Sequence, residues 1–284
     1  MVDGTAELGE LGGAIYVHWP DGRAGVVTGS QGTSLEHLRL STNVLGDLRS
    51  RGLPVPRYDH VVALSTGVVA LVQERLPGRP MTLRHNRRNM RTLIDANELF
   101  ANALADHRDV PVPEMNLRES GPVLPCYGWG DEQWHEVLAT YNTQSRRLLD
   151  QIHAVGDEGP GAMDGDDLLM FDFTGENILC DDSGSVTGIV DWNWGIGRGD
   201  RHSTMVGVRV GMAWGTLNPN VGREFYEAME LLDEHLAAVL DPPRFRMYVA
   251  HAVLHRVSWG IRHWPADVVG AFMRTGEKLL TRPA

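Results

Sequence analysis

Apolar positions along the 284-residue chain follow two different spacings. In the first 76 residues they come in short, β-branched runs. Ala14–Trp19, the turn Pro20-Asp21-Gly22-Arg23 and Ala24–Thr28 have the layout of a hairpin, and the glycine-rich stretch Leu8–Gly13 feeds into it. Val61–Leu64 and Val68–Val72 predict a second hairpin, their valines favouring strand over helix. Between the hairpins, Thr33-Ser34-Leu35-Glu36 has capping-box spacing, and Leu35, Leu38, Leu45 and Leu48 fall on one helical face. Gly52 and Pro54 stop that helix. After Leu76-Pro77-Gly78-Arg79-Pro80 the composition shifts towards helix formers, and apolar residues recur at helical spacing over 87–107, 131–155, 203–214, 221–240, 243–263 and 266–281. Only 162–194 breaks this second pattern, with short strands and turns. The pattern predicts an α+β protein with a small β-rich unit over 1–78 and a mainly helical one over 79–284.

Charge and composition narrow the function classes. Thirty-seven acidic against 26 basic residues give a formal net charge of −11, which lacks the positive field that nucleic-acid binders use to hold phosphates. No apolar run approaches the roughly 20 residues that span a bilayer, and the N-terminus has no signal-peptide pattern. A soluble, cytoplasmic protein with no nucleic-acid or membrane partner is expected. Cys126 and Cys180 sit in no paired metal spacing, so neither a disulfide framework nor a zinc site is implied. Lys278 is the only lysine; the other 25 basic residues are arginine.

The stretch from Asp157 to Asp182 carries nine carboxylates and no Lys or Arg. It reads either as a solvated acidic loop or as a divalent-metal site combined with a funnel for a cationic ligand. Within it, the apolar strand Leu168–Phe171 leads to Asp172, a polar loop and Asn177. An apolar strand, the turn Asp181-Asp182-Ser183-Gly184 and a further apolar strand ending in Asp191-Trp192 follow. An Asp-x-x-x-x-Asn loop followed 14 residues later by a strand-terminal Asp suits phosphoryl transfer. That chemistry needs a carboxylate to orient and accept the acceptor's proton, and oxygen ligands to hold magnesium against nucleotide phosphates.

This region resembles the aminoglycoside phosphotransferase family, whose pattern runs His-Gly-Asp-x-x-x-x-Asn, a hairpin and Ile-Asp-Trp. The likeness extends in order along nearly the whole chain. Gly52–Pro56 is similar to the family's helix exit, Gln73-Glu74-Arg75-Leu76-Pro77-Gly78 to its interlobe hinge, Leu148–His153 to its helix ending in Leu-His, and Gly199-Asp200 to the segment after the metal strand. The resemblance implies a two-lobed protein-kinase-like fold, with 1–78 as the nucleotide-binding lobe and 79–284 as the catalytic and substrate-binding lobe. It implies Asp172 as catalytic base, Asn177 and Asp191 as Mg2+ ligands, and ATP or GTP as co-substrate lying behind the hinge residues Gln73, Glu74 and Leu76.

Two departures matter. Met170-Phe171 stands where the family has His-Gly, which implies altered packing with retained function. Thr28 stands where the family's phosphate-binding lysine falls, and the glutamate that pairs with it, expected near Ser41, is absent too. A lone buried glutamate would be an uncompensated charge, so the two losses are coherent. The phosphates are then left to an arginine such as Arg23 or Arg39, to the backbone amides of Gly12-Gly13, or to nothing in this lobe. Arg23 follows a hairpin turn at the end of the sheet, whereas Arg39 lies one turn inside the helix that the resemblance places facing the nucleotide, so Arg39 is the favoured cation. The glycines at 9, 12 and 13 read either as a phosphate cover or as an ordinary tight turn, and Trp192 and Trp194 either as a stacking pair or as core. His251 and His255 lack the carboxylate of a zincin motif and read as surface or core histidines. The resulting expectation is transfer of a γ-phosphoryl group to a hydroxyl of a cationic small molecule, an aminoglycoside or basic cyclic peptide antibiotic. A non-catalytic kinase-like binding protein and a choline- or homoserine-type metabolite kinase are the alternatives. Glu224, Glu227, Glu230, Asp233, Glu234 and Asp267 are candidate partners for a cationic acceptor.

Overall fold

A computed structural model describes residues 14–81, 85–119, 134–159 and 163–281, and the backbone of 2–5. The amino-terminal hairpin forms as predicted: β2 (Ile15–His18) pairs antiparallel with β3 (Ala24–Ser30) around the Pro20–Arg23 turn. Strand β1 (Val2–Thr5), too short to stand out in the hydropathy pattern, adds to the free edge of β2. The second hairpin is β4 (Tyr58–Ala63) and β5 (Val69–Glu74), and the five strands form one sheet in the order β1-β2-β3-β5-β4. Helix α1 (Leu35–Ser50) covers one face, burying Leu38 against Val69 and Leu71. Its N-cap is Ser34, whose Oγ accepts from the His37 amide; the cap lies one residue later than the Thr33-to-Glu36 spacing suggests.

The second part is helical, as its 3.6-residue spacing predicts. The 87–107 pattern yields α2 (Arg87–Glu98), followed by turns in which Asn102 takes a positive φ of 51°. Then come α3 (Trp134–Tyr141), α4 (Thr143–Glu158), α5 (His202–Gly215), α6 (Arg223–Val239), α7 (Pro242–His263) and α8 (Ala266–Thr281). Between α4 and α5 lies the non-helical segment. Strand β7 (Asp167–Met170) pairs with β10 (Ile196–Gly199), while β8 (Ile178–Cys180) pairs with both β6 (Arg79–Pro80) and β9 (Val186–Ile189).

Aromatic packing fixes this insert. Phe100 is fully buried and meets Phe173 and Trp192 edge-on, at ring-centroid distances of 5.6 and 6.0 Å. Trp192 is thus core, and its Nε1 donates to the Ile189 carbonyl at 2.9 Å. Phe173 and Trp192 directly follow Asp172 and Asp191 in the chain, so the two carboxylates hang from one common hydrophobic anchor.

Candidate active site

Asp172 lies in the loop that leaves β7, and Asn177 ends the 3₁₀ turn Gly175–Asn177. The Asn177 amide donates to the Asp172 backbone carbonyl at 2.9 Å and to its Oδ2 at 3.3 Å. With its NH₂ committed to Asp172, Asn177 has its oxygen left for another ligand. Asp191 follows β9, and the Val190 amide just before it bonds the Asn177 carbonyl at 2.9 Å. The chain turns at Asp191 through a left-handed φ of 65°, a conformation that Asp and Asn adopt more readily than other side-chain-bearing residues. Burial, and then the negative charge of Asp172, pushes the Asp191 carboxyl up to about 6, while its Oδ1 is buried without a hydrogen-bond partner. Burial also raises Asp172, against the Asn177 bond and the positive field of Arg256. Two carboxylates and an amide oxygen gathered here, one oxygen orphaned, are a donor set for a hard divalent cation.

The small sheet meets this loop at Asn193. Thr28 Oγ donates to Asn193 Oδ1 at 2.7 Å, Ser30 Oγ to its carbonyl at 2.6 Å, and Ser41 Oγ accepts from the Ile196 amide at 3.1 Å. Thr28 and Ser41, the positions where the resemblance expects lysine and glutamate, thus fasten the small sheet and α1 to the segment after Asp191. Gly195, with φ +74°, is needed there because a Cβ would lie 2.4 Å from His37 Nε2. Tyr58 also approaches the site: its hydroxyl is buried without a partner, and burial followed by the Asp191 charge raises its pKa. No sequence pattern singles out Tyr58, since its role depends on how β4 lies against a loop more than 130 positions away.

The other expected nucleotide residues are placed as follows. Gln73 is buried at the end of β5 with Oε1 unpartnered, and Glu74 accepts from the Arg57 amide at 3.0 Å and pairs with Arg49 at 2.6 Å. Leu76 presses on Gly188, where a Cβ would lie 2.8 Å from its Cδ1. Gly12 and Gly13 lie outside the described residues. Arg39 is not brought to the carboxylates: it is exposed and borders a groove with Thr42, Asn43, Tyr58, Asp59, His60 and Val61. Helical periodicity explains this, because His37 and Ser41 face the Gly195–Ile196 segment and a residue two positions from each points the other way. Arg23 pairs with Asp21 and Asp59 at the hairpin turn.

On the other side of Asp172, a cavity of about 90 Å³ is lined by Phe171, Phe173, Thr174, Tyr248, His255 and Arg256, among others. The Asp157–Asp167 part of the acidic run does not open onto it as a free negative surface. Asp157 pairs with Arg118 at 3.4 Å, Glu158 with Arg246 at 2.6 Å, and Asp164 with Arg244 at 3.6 Å; Asp166 pairs with Arg108 at 2.7 Å and with Arg198 at 3.0 Å, and Asp167 with Arg201 at 3.0 Å. The cations missing from the run come from remote parts of the chain. None of the acidic residues of α6, nor Asp267, lines the cavity among the described residues. His251, buried, and His255, half-buried, are residues of α7 at its wall; burial holds both below the ordinary imidazole range.

The model of the phosphotransferase enzyme family matches residues 14–202, a span holding Thr28, Asp172, Asn177, Asp191 and Asp200. The chain belongs to this family. No curated protein matches it significantly. Among solved structures, it is similar to a thermostable mutant of aminoglycoside phosphotransferase APH(4)-Ia in ternary complex with AMP-PNP and hygromycin B, with TM-score 0.66 and 15% identity, covering 98% of this chain and 92% of that one. It is also similar to the amicoumacin kinase hAmiN in complex with AMP-PNP, Ca2+ and Ami, with TM-score 0.64 and 12% identity over 97% and 87% of the two chains. Aminoglycoside-3'-phosphotransferase of type VIII aligns at TM-score 0.54 and 20% identity, over 90% and 92%. The family member described here therefore has the two-lobed, kinase-like α+β fold. No helix among its described residues is long and apolar enough to cross a membrane.

Proposed function

We propose that this phosphotransferase moves the γ-phosphoryl group of ATP or GTP to a hydroxyl of a small-molecule antibiotic. The observation that carries this reading is the convergence of Asp172, Asn177 and the orphaned Asp191 oxygen at one end of the β7–β9 insert. Asp172 would orient the acceptor hydroxyl and accept its proton, its loop held by Phe173 and its carboxylate by Asn177. Asn177 Oδ1 and Asp191 would hold Mg2+, which when bound supplies positive charge to the transferring phosphates. Gln73, Glu74 and Leu76 would border the nucleotide base at the hinge.

The acceptor would enter the cavity beside Asp172, stacking its apolar surface on Phe171, Phe173 and Tyr248. For a cationic acceptor the support is Asp172 itself and the net charge of −11, which steers cations towards the protein; the paired carboxylates of 157–167 add none. A binding module without turnover is favoured by one observation, the engagement of Thr28 with Asn193 at the position of the family's lysine. The deciding experiment is a Mg2+-dependent phosphoryl-transfer assay with ATP and GTP over cationic and neutral hydroxyl-bearing antibiotics, with choline and homoserine alongside. Transfer to an antibiotic that is lost in Asp172→Asn supports the proposal. Transfer only to the metabolites, or nucleotide binding with no transfer at all, overturns it.

A further inference from the structure

Away from Asp191, three helices bring metal-ligating groups together. Glu98 ends α2, His202 begins α5 and His235 lies in α6, and one ligand atom from each lies within 4.8 Å of the others. The His202 and His235 rings are 6.0 Å apart. Both Nε2 atoms are buried without a hydrogen-bond partner, an arrangement that costs free energy unless a ligand takes the nitrogens up. Phosphoryl transfer uses none of the three residues.

We propose that Glu98, His202 and His235 form a second metal site, specific for a borderline first-row cation, Zn2+ foremost. Two imidazoles and a carboxylate make a donor set suited to Zn2+ and poorly suited to Mg2+, which prefers oxygen ligands throughout. The surrounding contacts orient the set. Asp200 Oδ1 lies 2.8 Å from His202 Nδ1, which keeps the proton on Nδ1 and the lone pair on Nε2, the carboxylate–histidine–metal arrangement of zinc sites. Asp200 is held in turn by the Tyr248 hydroxyl at 2.8 Å. Glu98 Oε2 accepts from Arg201 at 2.7 Å, which fixes the carboxylate and leaves its other oxygen for a cation. Zn2+ at about 2.0–2.1 Å from each ligand needs them about 3.3 Å apart, so binding draws the three side chains together. Helix α5 also carries Ser203, Thr204 and Gly207 along the cavity wall beside Asp172, so the bound ion braces the acceptor side of the active site.

The test is calorimetric titration of the chelator-stripped full chain with Zn2+, paired with thermal melts. The wild type should bind Zn2+ saturably at micromolar concentration or below and melt at higher temperature with it. His235→Ala and Glu98→Gln should each weaken that binding at least tenfold and lose the shift in melting temperature, while Asp191→Ala should retain both. Glu98 is exposed, so Glu98→Gln keeps the test decisive if His235→Ala folds poorly. Absence of saturable Zn2+ binding, or binding unchanged in both variants, would overturn the proposal.

Discussion

Replacing Asp191 by asparagine should make the metal-free protein more stable. The side chain keeps its shape, and asparagine tolerates the left-handed φ of 65° as well as aspartate does. What changes is the charge. In the folded chain the carboxyl titrates near 6, through burial and then repulsion from Asp172, whereas an unfolded aspartate titrates near 4. A raised folded pKa means that the native state binds the proton more tightly than the unfolded chain does. The wild type therefore bears the full cost of this charge above about pH 6, and the cost vanishes below about pH 4. The difference corresponds to about 3 kcal/mol at neutral pH, at 1.36 kcal/mol per pKa unit. Chemical denaturation in the presence of chelator, at about pH 7.5 and about pH 4.5, measures it. Asp191→Asn should exceed the wild type by about 2–3 kcal/mol at the higher pH and by about 1 kcal/mol at the lower. A variant less stable than the wild type at neutral pH, or a gap that does not shrink on acidification, refutes the reasoning.

Asp172→Asn should keep the fold and nucleotide affinity while reducing turnover on the order of 10²–10⁴, the usual contribution of a general base; single-turnover phosphoryl transfer checks it. Arg39→Ala should leave nucleotide affinity within about twofold, because the side chain lies on the β4 side of α1; a loss of tenfold or more in equilibrium nucleotide binding would place it at the phosphates after all. Gly165→Ala should destabilise by more than about 2 kcal/mol, since the residue has φ +116° and its Cβ would lie 2.6 Å from the Gly199 carbonyl oxygen; a urea midpoint unchanged from the wild type would contradict this.

The elements were legible wherever periodicity was long or a turn signal sharp. Both amino-terminal hairpins and the four carboxy-terminal helices fall within a few residues of their predicted bounds. The Asp172–Asn177 spacing was legible because a local loop brings those groups together, and Asp191 because it ends the next hairpin. Features set by tertiary contact were not. The acidic run looked unneutralised because its arginines sit elsewhere in the sequence, Arg108 being 58 positions from Asp166 and Arg246 88 from Glu158. The resemblance places the helix of Arg39 facing the nucleotide but says nothing of the face Arg39 occupies; the contacts of His37 and Ser41 with Gly195 and Ile196 settle that. Glu98, His202 and His235 come from three helices and share no motif, so only packing reveals their meeting.

The bonds from Thr28, Ser30 and Ser41 to Asn193 and Ile196 bear on how the cleft opens. Swinging the small lobe away from the large one must either break all three or carry the Asp191 loop along with it. At about 1 kcal/mol each, breaking them weighs about 3 kcal/mol against the fully parted form. Where the resemblance expects a lysine–glutamate pair, this chain has uncharged hydroxyls indifferent to salt. Under the proposed function, exchange of nucleotide should therefore be slow, weakly dependent on ionic strength, and faster once Thr28 loses its hydroxyl.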